Sequence, residues 1–390
     1  MITRTSTRTL HRLARGFPIV AITGPRQSGK TTLARQAFPG KPYLSLEDPD
    51  ILAMAESDPR GLLSANPHGA IIDEAQRAPQ LFSYLQTRVD EKGAPGAWIL
   101  TGSQQFGLLS GITQSLAGRV GMLQLLPFSL GELRDAGRTP PTLDELLVQG
   151  FYPPLYDRPV ASGDWFAAYV TTYVERDVRQ LINVRDLSVF QRFVKMCAAR
   201  TGQLLNLSSL AADCGISHNT AAAWISVLEA SYVVHLLRPH HRNFNKRLVK
   251  APKLYFCDVG LAAWLQGVRA PGQVSYHAQR GALFETLVVN EFLKARLNDG
   301  QPSNLFFWRD SKGLEIDLLL ENADDLTPVE IKSGQTLATD FFDGLKSWLA
   351  LSREPDHPAW LVYGGERESR SGNVAILPWS LVPGRAASSS

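Results

Sequence analysis

The chain has 390 residues and a formal charge of +3. That length exceeds one ordinary hydrophobic core and calls for two or three domains; the mild charge neither demands nor excludes nucleic acid, so any such argument has to come from local clusters. Cys197, Cys214 and Cys257 are far apart and lack metal-ligand spacing, which argues against a disulfide framework or a zinc site and reads as three small buried hydrophobes in a reducing compartment.

The basic stretch from Met1 to Arg15 is followed by no apolar signal core, and no uninterrupted apolar run is long enough to cross a bilayer. The expectation is a cytoplasmic protein with no membrane contact. The first element is the strand-like run Phe17-Pro18-Ile19-Val20-Ala21-Ile22-Thr23, and Gly24-Pro25-Arg26-Gln27-Ser28-Gly29-Lys30-Thr31 follows it with the spacing G-x-x-x-x-G-K-[ST]. Between a strand and a helix this is a phosphate-binding loop. Its glycines let backbone N–H groups close around phosphates, Lys30 reaches the outer oxygens, and Thr31, followed by Thr32, places a hydroxyl on magnesium. The helix from about Lys30 to Ala37 adds the positive end of its dipole.

Strand and helix signals then alternate, the pattern of an α/β domain with a largely parallel sheet. Tyr43-Leu44-Ser45-Leu46 is one strand, and Ala70-Ile71-Ile72 is the next, ending in Asp73-Glu74. Ligands gather at the carboxyl ends of such strands, so Asp73 is the expected magnesium partner and Glu74 the residue that orients or deprotonates the attacking water. The strand Ala97-Trp98-Ile99-Leu100 ends in Thr101-Gly102-Ser103-Gln104, where Ser103, and after it Thr101, would sense a γ-phosphate; the alternative is a turn of small polar residues. Beyond the glycine-bearing segment 107–111, Arg119 would act as an arginine finger, in cis or from a neighbouring subunit, or else remain a surface arginine.

The phosphate loop, Ile71-Ile72-Asp73-Glu74-Ala75-Gln76, Leu100-Thr101-Gly102-Ser103-Gln104, and Gly118-Arg119 leading to Pro127-Phe128-Ser129 together resemble the prokaryotic AAA+ ATPases that carry a long C-terminal domain of unknown function. The resemblance covers nearly the whole chain. It implies an AAA+ fold and ATP as the nucleotide, without a defined biological role.

Pro140-Pro141 and Gly150-Phe151-Tyr152-Pro153-Pro154 interrupt the periodicity and mark a boundary, and the helical spacing of 143–147 and 165–174 suits a helical lid. Arg176, Asp177 and Arg179 would face the nucleotide from the lid or form a solvated charged face. Residues 208–214, the turn Gly215-Ile216-Ser217 and residues 218–229 then read as a helix-turn-helix. The apolar stretch 232–237 leads into Arg238, Arg242, Lys246, Arg247, Lys250 and Lys253, as a basic wing would. Asn219 and Thr220 would meet base edges and the wing cations phosphates; alternatively the winged helix is a scaffold packed on the ATPase.

In the last third, Glu285 lies in the helical stretch 282–291, Asp317 in the strand 314–320, and Glu330 and Lys332 in the strand 328–332. The Asp followed by Glu-x-Lys resembles the restriction-endonuclease-like fold. Alternation puts Glu330 and Lys332 on one face of their strand. Asp317 and Glu330 would bind one or two magnesium ions, Lys332 would position the attacking water, and Glu285 would complete the acidic cluster. Exposed alternating strands and inert members of that fold leave the activity open.

The expected architecture is α/β: a P-loop AAA+ ATPase domain over 1–139, a helical lid or linker over 140–195, a winged helix-turn-helix over 196–268 and a restriction-endonuclease-like α/β domain over 269–390. The expected function is ATP hydrolysis with Mg2+ that controls a DNA-binding, and by the last motif nucleolytic, C-terminal half. The alternative is a signalling or protein-remodelling ATPase whose nuclease-like domain is inert and binds protein. The expected partners are ATP, double-stranded DNA, a protein and further copies of this chain. A small-molecule kinase fits poorly, because so much of the chain lies outside the ATPase domain.

Overall fold

The computed structural model describes residues 2–103, 115–174, 187–242, 248–323 and 325–382. Gln104, the segment 107–111, Arg176, Asp177, Arg179, Lys246 and Arg247 lie outside the described residues. The chain forms two compact units. One comprises 1–128 with 230–232 and 297–301, and the other comprises 129–229, 233–296 and 302–390.

The first unit is built on a five-stranded parallel sheet ordered β2-β3-β4-β1-β5. Its strands are β1 (Ile19–Thr23), β2 (Tyr43–Ser45), β3 (Ile71–Asp73), β4 (Trp98–Gly102) and β5 (Val120–Gln124). β1 is apolar at four of its five positions because both of its faces are covered, as parallel sheets require. Ile19 and Ala21 pack with Leu62, Leu81, Phe82 and Leu85 on one side. Val20 and Ile22 pack on the other with Leu10 and Ala14 of helix α1 (Thr7–Gly16) and Leu33 and Ala34 of helix α2 (Lys30–Ala37). The remaining cover comes from α3 (Pro49–Ser57), α4 (Pro59–Ser64) and α5 (Leu81–Lys92). Leaving apolar side chains on both faces exposed would forfeit roughly 25 cal/mol per Å², which is why the helices sit where they do.

The second unit begins with short helices, α6 (Leu130–Asp135), α7 (Leu143–Gln149), α8 (Pro154–Asp157), α9 (Ser162–Tyr169) and α10 (Leu187–Ala198). Ser129 and Thr142 form capping boxes with Glu132 and Glu145, so each start is encoded locally. Helices α11 (Leu207–Cys214) and α12 (His218–Ala230) follow, joined through Gly215 at φ 69°. Phe190 and Phe193 of α10 pack edge-on against Trp224 of α12. The three cysteines are free and buried.

The strands of this unit are β6 (Gln203–Leu204), β7 (Val234–Pro239), β8 (Lys253–Phe256), β9 (Leu305–Arg309), β10 (Glu315–Asn322), β11 (Asp325–Lys332), β12 (Ala359–Tyr363), β13 (Ser369–Ser371) and β14 (Val374–Pro378). They form one sheet ordered β13-β14-β12-β11-β10-β9-β7-β8-β6. Helices α13 (Val259–Leu265), α14 (Pro271–Val274), α15 (Arg280–Asn298) and α16 (Asp343–Ser352) intervene. Sequence periodicity suggests a boundary between 268 and 269, but the sheet runs across it, because Arg238 and Pro239 of β7 pair in parallel with Phe306 and Phe307 of β9. A second difference concerns Lys253. The run of cations placed it on a basic wing, whereas it lies in β8 with only 2% of its surface exposed. No helix among the described residues is long and apolar enough to cross a membrane.

Gly69 enters β3 at φ +86°, and a Cβ there would stand 1.9 Å from the Ala97 carbonyl oxygen. Gly69→Ala should therefore lower global stability by roughly 1–3 kcal/mol through backbone strain and overpacking. Chemical denaturation with an unchanged midpoint would show that the strand entry relaxes freely.

Candidate functional site

The parallel order brings the carboxyl ends of β1, β3 and β4 together, and the residues singled out in the first domain gather there. Gly24 has φ +149°, and a Cβ on it would lie 2.1 Å from the Leu125 carbonyl oxygen, so the loop can turn only with glycine. Gly29, at φ 92°, caps α2. Lys30 is 6% exposed, and its Nζ donates to the Gly24 and Pro25 carbonyls at 3.0 and 2.8 Å, which puts the ammonium over the loop. Ser28 Oγ is buried and has no hydrogen-bond partner among the described residues. Pro25, Arg26, Gln27 and Thr32 complete the loop and the first turn, with Gln27 at φ 63°.

Asp73 ends β3 and collects hydroxyls from three other elements. Thr31 Oγ1 donates to its two oxygens at 3.1 and 3.0 Å, Tyr43 Oη donates at 2.7 Å, and Thr101 Oγ1 donates to Oδ1. Burial, and then the hydrogen bond to Asp73, raise the Tyr43 phenol far above its ordinary value, so Tyr43 stays a donor. Glu74 follows at φ 54°, an uncommon conformation for a non-glycine residue, and its Oε2 accepts from Ser103 Oγ at 3.1 Å and from Gln76 Nε2. The donor set suits a magnesium nucleotide: an unpartnered buried hydroxyl, a lysine over a glycine cradle, and a threonine hydroxyl against a carboxylate. A cleft of about 510 Å³ opens beside Thr31 and Thr32, walled by Arg35, Lys41 and Tyr43.

Arg119 stands apart. Its carbonyl accepts from Ile19 N at the start of β1, roughly 13 Å along the strand from the loop, and its guanidinium makes a fork to Asp90 at 2.6 and 2.8 Å. Two residues that no motif announced instead support the loop. Arg4, 6% exposed, donates to the Ser28 carbonyl at 3.3 Å and to the Leu126 carbonyl at 2.6 Å. Tyr232, in the left-handed region at φ 56°, donates from Oη to Thr23 Oγ1 at 2.7 Å, just ahead of Gly24. The only available signal for Arg4 was the basic character of the N-terminal stretch.

In the second unit, Asn219 is exposed and Thr220 half-buried at the start of α12, with the Thr220 N–H bound to Ser217 Oγ at 3.1 Å. Lys250 is exposed, while Arg242 pairs with Glu354 at 3.5 Å. Glu285, Asp317, Glu330 and Lys332 are brought into one cluster from α15, β10 and β11, joined by Lys253, Tyr255 and Glu315. Lys332 Nζ lies 2.5 Å from Glu330 Oε1, and Asp317 Oδ2 accepts from Ile331 N at 2.8 Å. Burial, and then the Asp317 charge, push the Glu330 carboxyl up to about 8. As it stands the cluster does not fit a divalent ion, because the Lys253 ammonium already lies among its carboxylates.

Residues 16–134 match an AAA domain, and residues 140–272 and 280–382 match two domains of unknown function, DUF8612 and DUF4143. The uncharacterized proteins Rv2008c of Mycobacterium tuberculosis and Mb2031c of Mycobacterium bovis are each 33% identical over 332 residues, covering 84% of this chain and 72% of theirs. Among solved structures, the Walker-type ATPase PABY2304 of Pyrococcus abyssi aligns at a TM-score of 0.45 and 15% identity, over 67% of this chain and 94% of its own. AMPPCP-bound DnaA from Aquifex aeolicus aligns at 0.31 and 15%, over 57% and 85%.

The Glu330 carboxyl gives a pH test. In the folded protein it keeps a proton that the unfolded chain releases, so its contribution is complete below the ordinary glutamate value and is lost as pH rises through about 8. Glu330→Gln should flatten that loss, so that the melting temperature of the variant gains on wild type between about pH 5 and about pH 9. Parallel melting curves across that range would mean that Glu330 titrates normally.

Proposed function

We propose that this chain, which belongs to the same family as the two mycobacterial proteins and matches an AAA domain over residues 16–134, binds and hydrolyses ATP and uses its nucleotide state to govern a DNA-binding C-terminal half. The observation that carries the ATPase reading is the convergence on Asp73 and Glu74 of groups from α2, β2 and β4 at the mouth of the phosphate loop. Backbone N–H groups of residues 24–31 and the Lys30 ammonium would bind the phosphates. Thr31 and Asp73 would hold magnesium, which when bound neutralises phosphate charge. Glu74 would orient the attacking water and accept its proton, and Ser103, already bonded to Glu74, would register the γ-phosphate. Arg119 would serve only a neighbouring copy, since in its own chain its backbone meets the start of β1, at the opposite end of that strand from the loop.

The DNA reading is supported by two helices joined at a tight turn, followed by the β7 and β8 hairpin with exposed Arg238 and Lys250. A second reading, a remodelling or signalling ATPase with an inert nuclease-like domain, draws on a different feature. The exposed residues of α12 are His218, Asn219, Ala223 and Ser226, and none of them is a lysine or arginine. The nuclease-like reading of the last third draws on the order α15-β9-β10-β11-α16-β12, with Asp317 and Glu330-x-Lys332 on adjacent strands.

Lys30→Ala should weaken nucleotide binding, whereas Glu74→Gln should keep binding and slow hydrolysis by roughly 100-fold or more. Wild-type turnover in Glu74→Gln would remove Glu74 from its role. Neutralising Lys246, Arg247 and Lys250 together should weaken duplex DNA binding and flatten its salt slope by about 0.9 per lost phosphate contact. A salt titration identical to wild type would favour the protein-binding reading.

A further inference from the structure

The acidic cluster of the second unit contains its own cation. Lys253 Nζ lies 2.8 Å from Glu285 Oε1, contacts Glu315 Oε1, and stands 4.0 Å from Asp317 Oδ1, while only 3% of the side chain is exposed. Tyr255, two residues further along β8, donates to the same Glu285 oxygen at 2.5 Å. The other Glu315 oxygen is taken by Arg309 at 2.8 Å. Coordination geometry for a divalent ion needs oxygen ligands converging on one empty point. Here that convergence exists, and an ammonium occupies it.

We propose that the Lys253 ammonium is the resident cation of this cluster, filling the position that the Asp and Glu-x-Lys pattern reserves for a divalent metal, so that the second unit holds a metal-free ion network. Charge balance agrees. Four carboxylates, Glu285, Glu315, Asp317 and Glu330, face three cations, Lys253, Lys332 and Arg309. Burial, and then the Asp317 charge, raise the Glu330 carboxyl and favour its protonated form, which brings the two signs closer to balance. Burial alone would lower the Lys253 pKa, but Glu285, with Tyr255, Asp317 and Glu315 after it, holds it well above the ordinary lysine value. A divalent ion entering the site would have to displace a charged lysine whose side chain is only 3% exposed, and removing one partner of such a buried network is what costs most.

Within the cluster, Glu330 Oε2 is the one buried oxygen without a hydrogen-bond partner among the described residues, and Gly344 leaves the space for it. That single oxygen is no ligand set. The inference goes beyond the ATPase reading and does not depend on it, because its test needs no nucleotide.

The test uses the full chain in an Asp73→Asn background, which removes the metal contact of the first unit, and reads Mn2+ binding by calorimetry and by the metal-induced shift in melting temperature. With Lys253 intact, millimolar Mn2+ should give no saturable binding and no shift. Lys253→Met, which leaves the carboxylates and empties the point, should bind Mn2+ at least roughly tenfold tighter, the lower end of the range over which neighbouring groups tune a metal site. It should also gain melting temperature in Mn2+, and a variant that folds only when Mn2+ is present supports the proposal as well. A folded Lys253→Met protein indifferent to Mn2+ overturns it. So does saturable Mn2+ binding with Lys253 intact that disappears on Asp317→Asn, an arm that decides the matter even if Lys253→Met fails to fold under any condition.

Discussion

The Asp73 carboxylate is the point on which the nucleotide site depends. It is 8% exposed, and a carboxylate removed that far from water is tolerable only if its oxygens are bonded. Three hydroxyls answer that need, from Thr31 at the start of α2, Tyr43 in β2 and Thr101 in β4. They can meet only because β2, β3 and β4 are parallel neighbours whose carboxyl ends finish together. The helix that carries Thr31 starts at the loop leaving β1, so the register of the sheet and the shape of the loop are parts of one constraint. Arg4 and Tyr232 act on the same constraint from outside, bonding the Ser28 carbonyl just before Gly29 and the Thr23 hydroxyl just before Gly24.

The two units meet the cost of buried carboxylates in opposite ways. Around Asp73 the donors are neutral hydroxyls, which satisfy the oxygens and leave the negative charge uncompensated, and that is what a site needs if a cation is to arrive with the nucleotide. Around Glu285, Glu315 and Asp317 the donor is an ammonium, which satisfies the oxygens and cancels charge together. Both sets are dry enough for electrostatics to be strong. The first is open to an added ion and the second has already been closed by the chain itself.

Much of this was legible without coordinates. The phosphate loop, the strand before it and the acidic pair at the end of the next strand depend on spacing along one segment, and local spacing is what a sequence displays directly. Capping at Ser129 and Thr142 belongs to the same class. Alternation along β11 likewise put Glu330 and Lys332 on one face, where they pair at 2.5 Å. What the pattern could not reveal was the company those residues keep. Lys253 reads as one more cation in a basic run, and only the fold, by laying β8 near α15 and β10, makes it the partner of acids 32 to 64 residues away. Tyr232 opens the apolar stretch that leads into the run of cations, yet its backbone turns left-handed and its hydroxyl reaches a residue 209 positions earlier.

The sequence by itself determined the fold class of the first unit, the loop that can cradle phosphates and the residue types able to work beside it, because periodicity, glycine placement and strand ends are local properties of the chain. Tertiary structure alone decided that Arg119 bonds Asp90 away from the loop, at the end of the sheet where β1 begins, that Tyr43 and Thr101 converge on Asp73, and that Lys253 lies among carboxylates. Those outcomes turn on which strands become neighbours, and on burial, which makes an ion pair of charges that would be independent in water.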